Sequence, residues 1–154
     1  MKKILLMTFF LASCSASGPR FDGEYRVNND SATVFVYKTD ETLKARAADI
    51  NVDTVSVGEL KHNGYLKLTL NPGKHTITSK WPWDAMAPSA EVNHIFEAGK
   101  EYFFNLRISL SDVSISPTGT SISPVSISGS FSSAWEIQTK EVALVKIVDT
   151  KLSK

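Results

Sequence analysis

Cys14 is the only cysteine among 154 residues, so no disulfide can form within the chain and its stability must come from a hydrophobic core. Long apolar runs are also missing. The longest stretch, Ile4 to Leu11, falls well short of the roughly 20 residues that a spanning helix needs. Charge of one sign is scarce: 17 basic residues stand against 16 acidic ones without a long block of either, which removes any general attraction to nucleic acid or anionic lipid. Histidine is sparse, and neither His62, His75 nor His94 has a second ligand-type residue at a metal-binding interval. No metal or cofactor is therefore expected. There is no Gly-x-Ser-x-Gly elbow among the many serines, which leaves an α/β-hydrolase nucleophile without support.

What is present begins with Lys2 and Lys3, the apolar run, and then Ala12-Ser13-Cys14. That order has the form of a bacterial lipoprotein signal, in which small residues precede the cut and the following cysteine carries the lipid. The competing reading is a short transmembrane anchor with an incidental cysteine. Small residues before Cys14 and a polar flank after it favour the signal. Residues 1–13 are then a signal peptide cut between Ser13 and Cys14, residues 14–31 a lipidated cysteine and flexible tether, and residues 32–154 a single domain. Acyl chains on Cys14 would make the membrane its partner without a spanning helix. Ser15 stands where inner-membrane lipoproteins of enteric bacteria usually carry aspartate, and by that resemblance the expected address is the outer membrane, facing the periplasm.

From Ala32 the pattern is that of strands, beginning with Thr33-Val34-Phe35-Val36-Tyr37. Asn63-Gly64 suits a tight hairpin between Val55–Leu60 and Tyr65–Leu70, and Asn71-Pro72-Gly73 suits a type II turn back along His75–Trp81. In the middle strand Leu66, Leu68 and Leu70 share one face and Lys67 and Thr69 the other. After Ala98-Gly99, Tyr102, Phe104, Leu106, Ile108 and Leu110 alternate with Glu101, Asn105, Arg107 and Ser109 as the longest amphipathic strand. The serine-biased stretch 109–133 reads as a hairpin around Pro117-Thr118-Gly119-Thr120, with Pro124 placing its second arm at an edge. Trp135–Gln138 reads as a last short strand. Thr139 then caps a helix to about Val148, with Val142, Val145 and Val148 as its packing stripe. The expected fold is mainly β, an antiparallel β-sandwich or meander with a short C-terminal helix.

Val57-Gly58-Glu59-Leu60, Gly64-Tyr65 and Pro72-Gly73-Lys74-His75 together resemble the signature of a domain of unknown function found in small bacterial lipoproteins. The aromatic first strand, the Ala98-Gly99 turn with Tyr102-Phe103, and the strand-then-helix ending follow in the same order, so the resemblance spans Ala32 to Leu152. It implies a small β-sandwich module and supplies no catalytic residue. The chain departs from the family in having Asp53-Thr54 where an Asp-Gly turn is common, which weakens the tight turn expected there, and in its serine-biased hairpin.

Candidate sites are few. His75 reads first as a histidine whose ring nitrogens satisfy backbone groups around the Pro72-Gly73 turn, and His94 as a hydrogen-bonded core or edge histidine. A pocket joining His75 to a carboxylate and an activated hydroxyl would instead indicate an envelope hydrolase. Asp49 and Asp53 give no reason to be paired as acid and base. Trp81-Pro82-Trp83-Asp84 is the sharpest binding candidate, a two-indole platform on which sugar rings could stack with Asp84 as acceptor and His75 as a further contact. The alternative is that both indoles close the end of the sandwich. The functional expectation is a lipid-anchored, noncatalytic envelope protein, a structural or interaction module with an envelope protein as partner. Binding of peptidoglycan or another glycan at the Trp81–Trp83 loop is the alternative.

Overall fold

Strand β1, Ala32–Lys38, alternates small or branched residues with aromatic ones, yet every one of its side chains is buried. A strand of that kind must be covered on both faces. In the computed structural model, which describes residues 15–116 and 126–153, β1 is the middle strand of a five-stranded sheet. The other strands are β2 Ala48–Val52, β3 Val55–Leu60, β4 Gly64–Leu70, β5 Gly73–Lys80, β6 Ala90–Phe96, β7 Glu101–Ser116, β8 Ser126–Gln138 and β9 Lys151–Leu152, with helix α1 over Lys140–Ile147. One sheet has the order β8-β7-β1-β4-β9 and the other β3-β2-β5-β6.

The first face of β1 contributes Ala32, Val34 and Val36 to the core between the sheets. They meet Leu66, Leu68 and Leu70 of β4, Phe104 and Leu106 of β7, and Ile50, Ile77 and Phe96 from the opposing sheet. The second face presents Phe35 and Tyr37, which join Phe103 under Ala143 and Ile147 of α1. This makes a sandwich with a helix on one outer face. The four-stranded sheet is wholly antiparallel, whereas β1 pairs with β7 and β4 with β9 in parallel.

The meander expectation is corrected. Strands β3 and β4 lie in different sheets, as do β4 and β5, and β6 and β7. Asn63-Gly64, Asn71-Pro72-Gly73 and Ala98-Gly99 therefore turn the chain from one sheet to the other rather than close hairpins. Turn chemistry fixes local backbone angles, such as φ 49 at Asn63 and φ 72 at Gly99, but not which strands then pair. The Asp53-Thr54 turn departs in the opposite sense. It joins β2 to β3 as a two-residue hairpin with φ 48 and 74, both in the left-handed region that glycine would occupy more easily.

Residues 15–31, expected to be a flexible tether, lie against the domain. Ala16 and Phe21 are buried. Phe21 packs edge-on against Phe35 and Tyr65 at 5.5 and 5.4 Å, and its N–H donates to the Thr150 carbonyl at 3.0 Å. The aromatic face of the sheet would otherwise be bare beside α1, so the chain folds back to cover it.

The helix begins after Thr139 as expected, but its packing stripe is different. Ala143 and Ile147 are buried, while Val142, Val145 and Val148 are the exposed side. Asn105, expected on a wet face, is buried two positions along from Phe103, which packs under α1. The long strand to Leu110 and the first serine-biased arm form one strand, and Trp135–Gln138 belongs to β8 rather than to a separate strand; β7 and β8 pair with a register shift between Ser111 and Ser114 that absorbs an extra residue. Edge placement of β8 agrees with the expectation. Pro117–Thr120 and Pro124 lie outside the described residues. No helix among the described residues is long and apolar enough to cross a membrane.

Candidate functional site

The pairing of Val52 with Ile77 places Asp53 beside Thr76 at the end of the β2–β5 ladder. The Asp53 N–H donates to the Thr76 carbonyl at 3.0 Å, and the Thr76 N–H donates to Asp53 Oδ1 at 2.9 Å. The other carboxylate oxygen, Oδ2, lies 2.5 Å from His75 Nδ1. His75 Nε2 lies 2.9 Å from the Asn71 carbonyl. Each ring nitrogen thus faces an acceptor, and the ring satisfies both as an imidazolium. The Asp53 hydrogen bond holds the His75 pKa above its ordinary value, against burial and with help from Asn71. His75 and the Thr76 N–H hold the Asp53 carboxyl below its ordinary value.

The carboxylate needed for a catalytic histidine is therefore present, although no local motif pointed to Asp53. The remaining condition is not met. A general base needs a ring nitrogen with a lone pair directed at a hydroxyl, whereas Nε2 donates to a backbone carbonyl. The neighbouring Thr76 hydroxyl donates to Asn93 Oδ1 at 2.7 Å. This arrangement clamps the strained β2–β3 turn to the β4–β5 crossing. One half of the expected backbone role of His75, its bond at the Asn71 turn, is what the structure contains.

The Trp81–Asp84 segment separates its two indoles. Trp81, just past the end of β5, packs against the core between the sheets. Trp83 enters a short 3-10 turn over Trp83–Ala85 and is 94% exposed. Asp84 is held by Arg46 at 2.7 Å, so the proposed acceptor already has a cationic partner. His75 is tied to Asp53 and Asn71 rather than to this loop. The candidate set consequently falls into two places.

Lys38 was not singled out by sequence reasoning, though its position at the end of an apolar strand was a signal. It is fully buried, and its ammonium donates to the carbonyls of Asp40 and Thr42 at 3.0 and 2.7 Å and lies 3.3 Å from Asp40 Oδ1. Burial pushes the Lys38 pKa down, while Asp40 opposes that shift. These contacts fasten the β1–β2 loop, as does His62, whose Nδ1 meets the Asp40 carbonyl at 3.0 Å. His94 instead packs edge-on among Phe96, Tyr102 and Phe104, with ring centroids 5.0 to 5.8 Å away. It borders a cleft of about 680 Å³ shared with Tyr102, Gln138 and Lys140.

Among the described residues, no three His, Cys, Asp or Glu side chains are grouped to hold a metal ion. Ser13 and Cys14 lie outside the described residues. A family model described as a protein of unknown function (DUF2846) matches residues 28–120, more than half of the chain. No curated protein matches the chain.

Proposed function

We propose, on the premise that the chain belongs to the DUF2846 family of proteins of unknown function, that it is a lipid-anchored, noncatalytic module of the bacterial cell envelope that acts through its surface. The observation that carries this reading is that the backbone is fastened to the domain from Ser15 onward, immediately after Cys14. Ala16 donates its N–H to the His62 carbonyl at 3.2 Å, two positions beyond Cys14. Cleavage before Cys14 would set the lipidated residue directly beside Ser15, whose backbone bridges to His62.

A binding role is favoured over catalysis by the way the polar candidates are engaged. His75 is committed to two acceptors and Asp84 to Arg46. The glycan-binding alternative retains only Trp83 as an exposed stacking surface, since Trp81 is part of the core packing. An outer-membrane address facing the periplasm follows from Ser15 by resemblance to enteric lipoproteins.

Mass spectrometry of the N-terminal peptide from cells is the direct test. The expected species begins at Cys14 and carries acyl groups; Cys14→Ser protein should fold normally but lose both the acyl groups and the membrane fraction. A wild-type peptide that retains residues 1–13 and bears no acyl group overturns the anchoring.

A further inference from the structure

The end of the sandwich where the N-terminal segment joins is also where its most exposed indole lies. Register establishes the coincidence. Lys38, the last residue of β1, pairs with Gly64, the first of β4. Ala48, the first of β2, pairs with Leu60, the last of β3, while Asp49 pairs with Lys80, the last of β5. Loops 39–47, 61–63 and 81–89 therefore gather at one end. Contacts join them in series: Ala16 N–H to the His62 carbonyl, His62 Nδ1 to the Asp40 carbonyl, and Arg46 to Asp84.

This end carries apolar side chains that the fold does not use. Trp83 is 94% exposed and Met86 79% exposed. Met86 follows the 3-10 turn with φ 53, a left-handed conformation that ends the turn. The β7–β8 ribbon leaves at the same end, because β7 continues beyond Asn105, its last pairing with β1. Leu110, opposite Phe131 on that ribbon, is 49% exposed. Single exposed apolar residues are ordinary, and Val55, Ile95 and Val145 are such residues elsewhere, but Trp83 and Met86 share one loop and Leu110 lies on the ribbon that leaves the same end.

The occupant follows from chain length. Two residues of extended backbone reach only about 7 Å, so a lipid on Cys14 would hold this end against the bilayer surface. Tethering at that distance makes weak contacts effective through high local concentration. Tryptophan is favoured at the interface between headgroups and hydrocarbon. Arg46 pairs with Asp84 at 2.7 Å and neutralises the carboxylate next to Trp83, which would otherwise be repelled by anionic headgroups.

We infer that this end is a membrane-contact surface, with Trp83, Met86 and Leu110 seated among the headgroups of the phospholipid bilayer to which Cys14 anchors the chain. The inference rests on the anchoring proposed above. It is tested with the full acylated protein in phosphatidylethanolamine and phosphatidylglycerol vesicles, with and without brominated acyl chains. Brominated lipid should quench the wild-type tryptophan emission, and Trp83→Phe should remove that quenching while the protein remains vesicle-bound through Cys14. Acylated, vesicle-bound protein whose Trp83 is not quenched overturns the contact surface and leaves the anchor standing. An unacylated Cys14 overturns both. Muropeptides that shift Trp83 emission while brominated lipid has no effect would assign the surface to glycan and likewise overturn the inference.

Discussion

His75 and Asp53 are joined by a 2.5 Å contact between Nδ1 and Oδ2, and that contact bridges two turns distant in the sequence. The pair makes stability depend on pH in both directions. His75 is raised above its ordinary 6.5, so its contribution is complete below that pH and disappears as pH rises through the folded value. Asp53 is lowered below its ordinary 3.8, so its contribution is complete above that pH and is lost as pH falls through the folded value. The contribution should be greatest between those two ordinary values. Thermal midpoints measured across pH should fall on the alkaline side in wild type, and the fall should be shallower in Asp53→Asn. Identical profiles would count against the clamp.

Thr54 occupies a conformation with φ 74 that a β-branched residue adopts only under strain. Thr54→Gly should stabilise the protein by about 0.5–1 kcal/mol, the relief being partly offset by the greater freedom of glycine in the unfolded chain. Urea unfolding at neutral pH provides the comparison. A loss of stability would show that the Thr54 side chain contributes contacts worth more than the strain.

Phe21 distinguishes a packed N-terminal segment from a tether. Its ring is 5% exposed and meets both Phe35 and Tyr65. Phe21→Ala should cost about 3 kcal/mol, comparable to Phe104→Ala in the inter-sheet core. A cost below about 0.5 kcal/mol, the usual range for a surface change, would mean that residues 15–31 are only loosely held.

On α1 the two faces make opposite predictions. Val145 is 77% exposed, so Val145→Lys should change stability by less than about 0.5 kcal/mol. Ile147 is fully buried against the aromatic layer, and Ile147→Ala should cost about 2–5 kcal/mol. Denaturant titration of the two variants decides which face is the packed one.

Alternation made β4 legible, since Leu66, Leu68 and Leu70 face the core while Lys67 and Thr69 are exposed. The same signal located β1 and the inner face of β7. It failed at Asn105, which is buried on the outer face of β7, because a sequence period records a strand but not what lies over it. On α1 the valines share a helical spacing, but the smaller Ala143 admits the close approach to the sheet and carries Ile147 in with it. The Asp53–His75 contact becomes visible only when β2 and β5 are paired in register. No local motif contains it. Trp81 and Trp83 illustrate the remaining difficulty: two identical side chains on either side of Pro82 meet different environments because Trp81 directly follows β5 and packs on the core, while Trp83 opens a 3-10 turn.

The two ends of the described chain are fastened to each other. Gly18 N–H donates to the Leu152 carbonyl at 3.1 Å and Leu152 N–H to the Pro19 carbonyl at 2.8 Å, while Lys151 N–H and Ser153 N–H donate to the carbonyls of Asn63 and Tyr65. A side chain on Gly64 would collide with Ser153, so the joint depends on that close approach. β9 thereby stands between the Gly18–Pro19 segment and β4, whose leucines are embedded in the core, and the C-terminal strand serves as the seam that joins the N-terminal segment to the sheet.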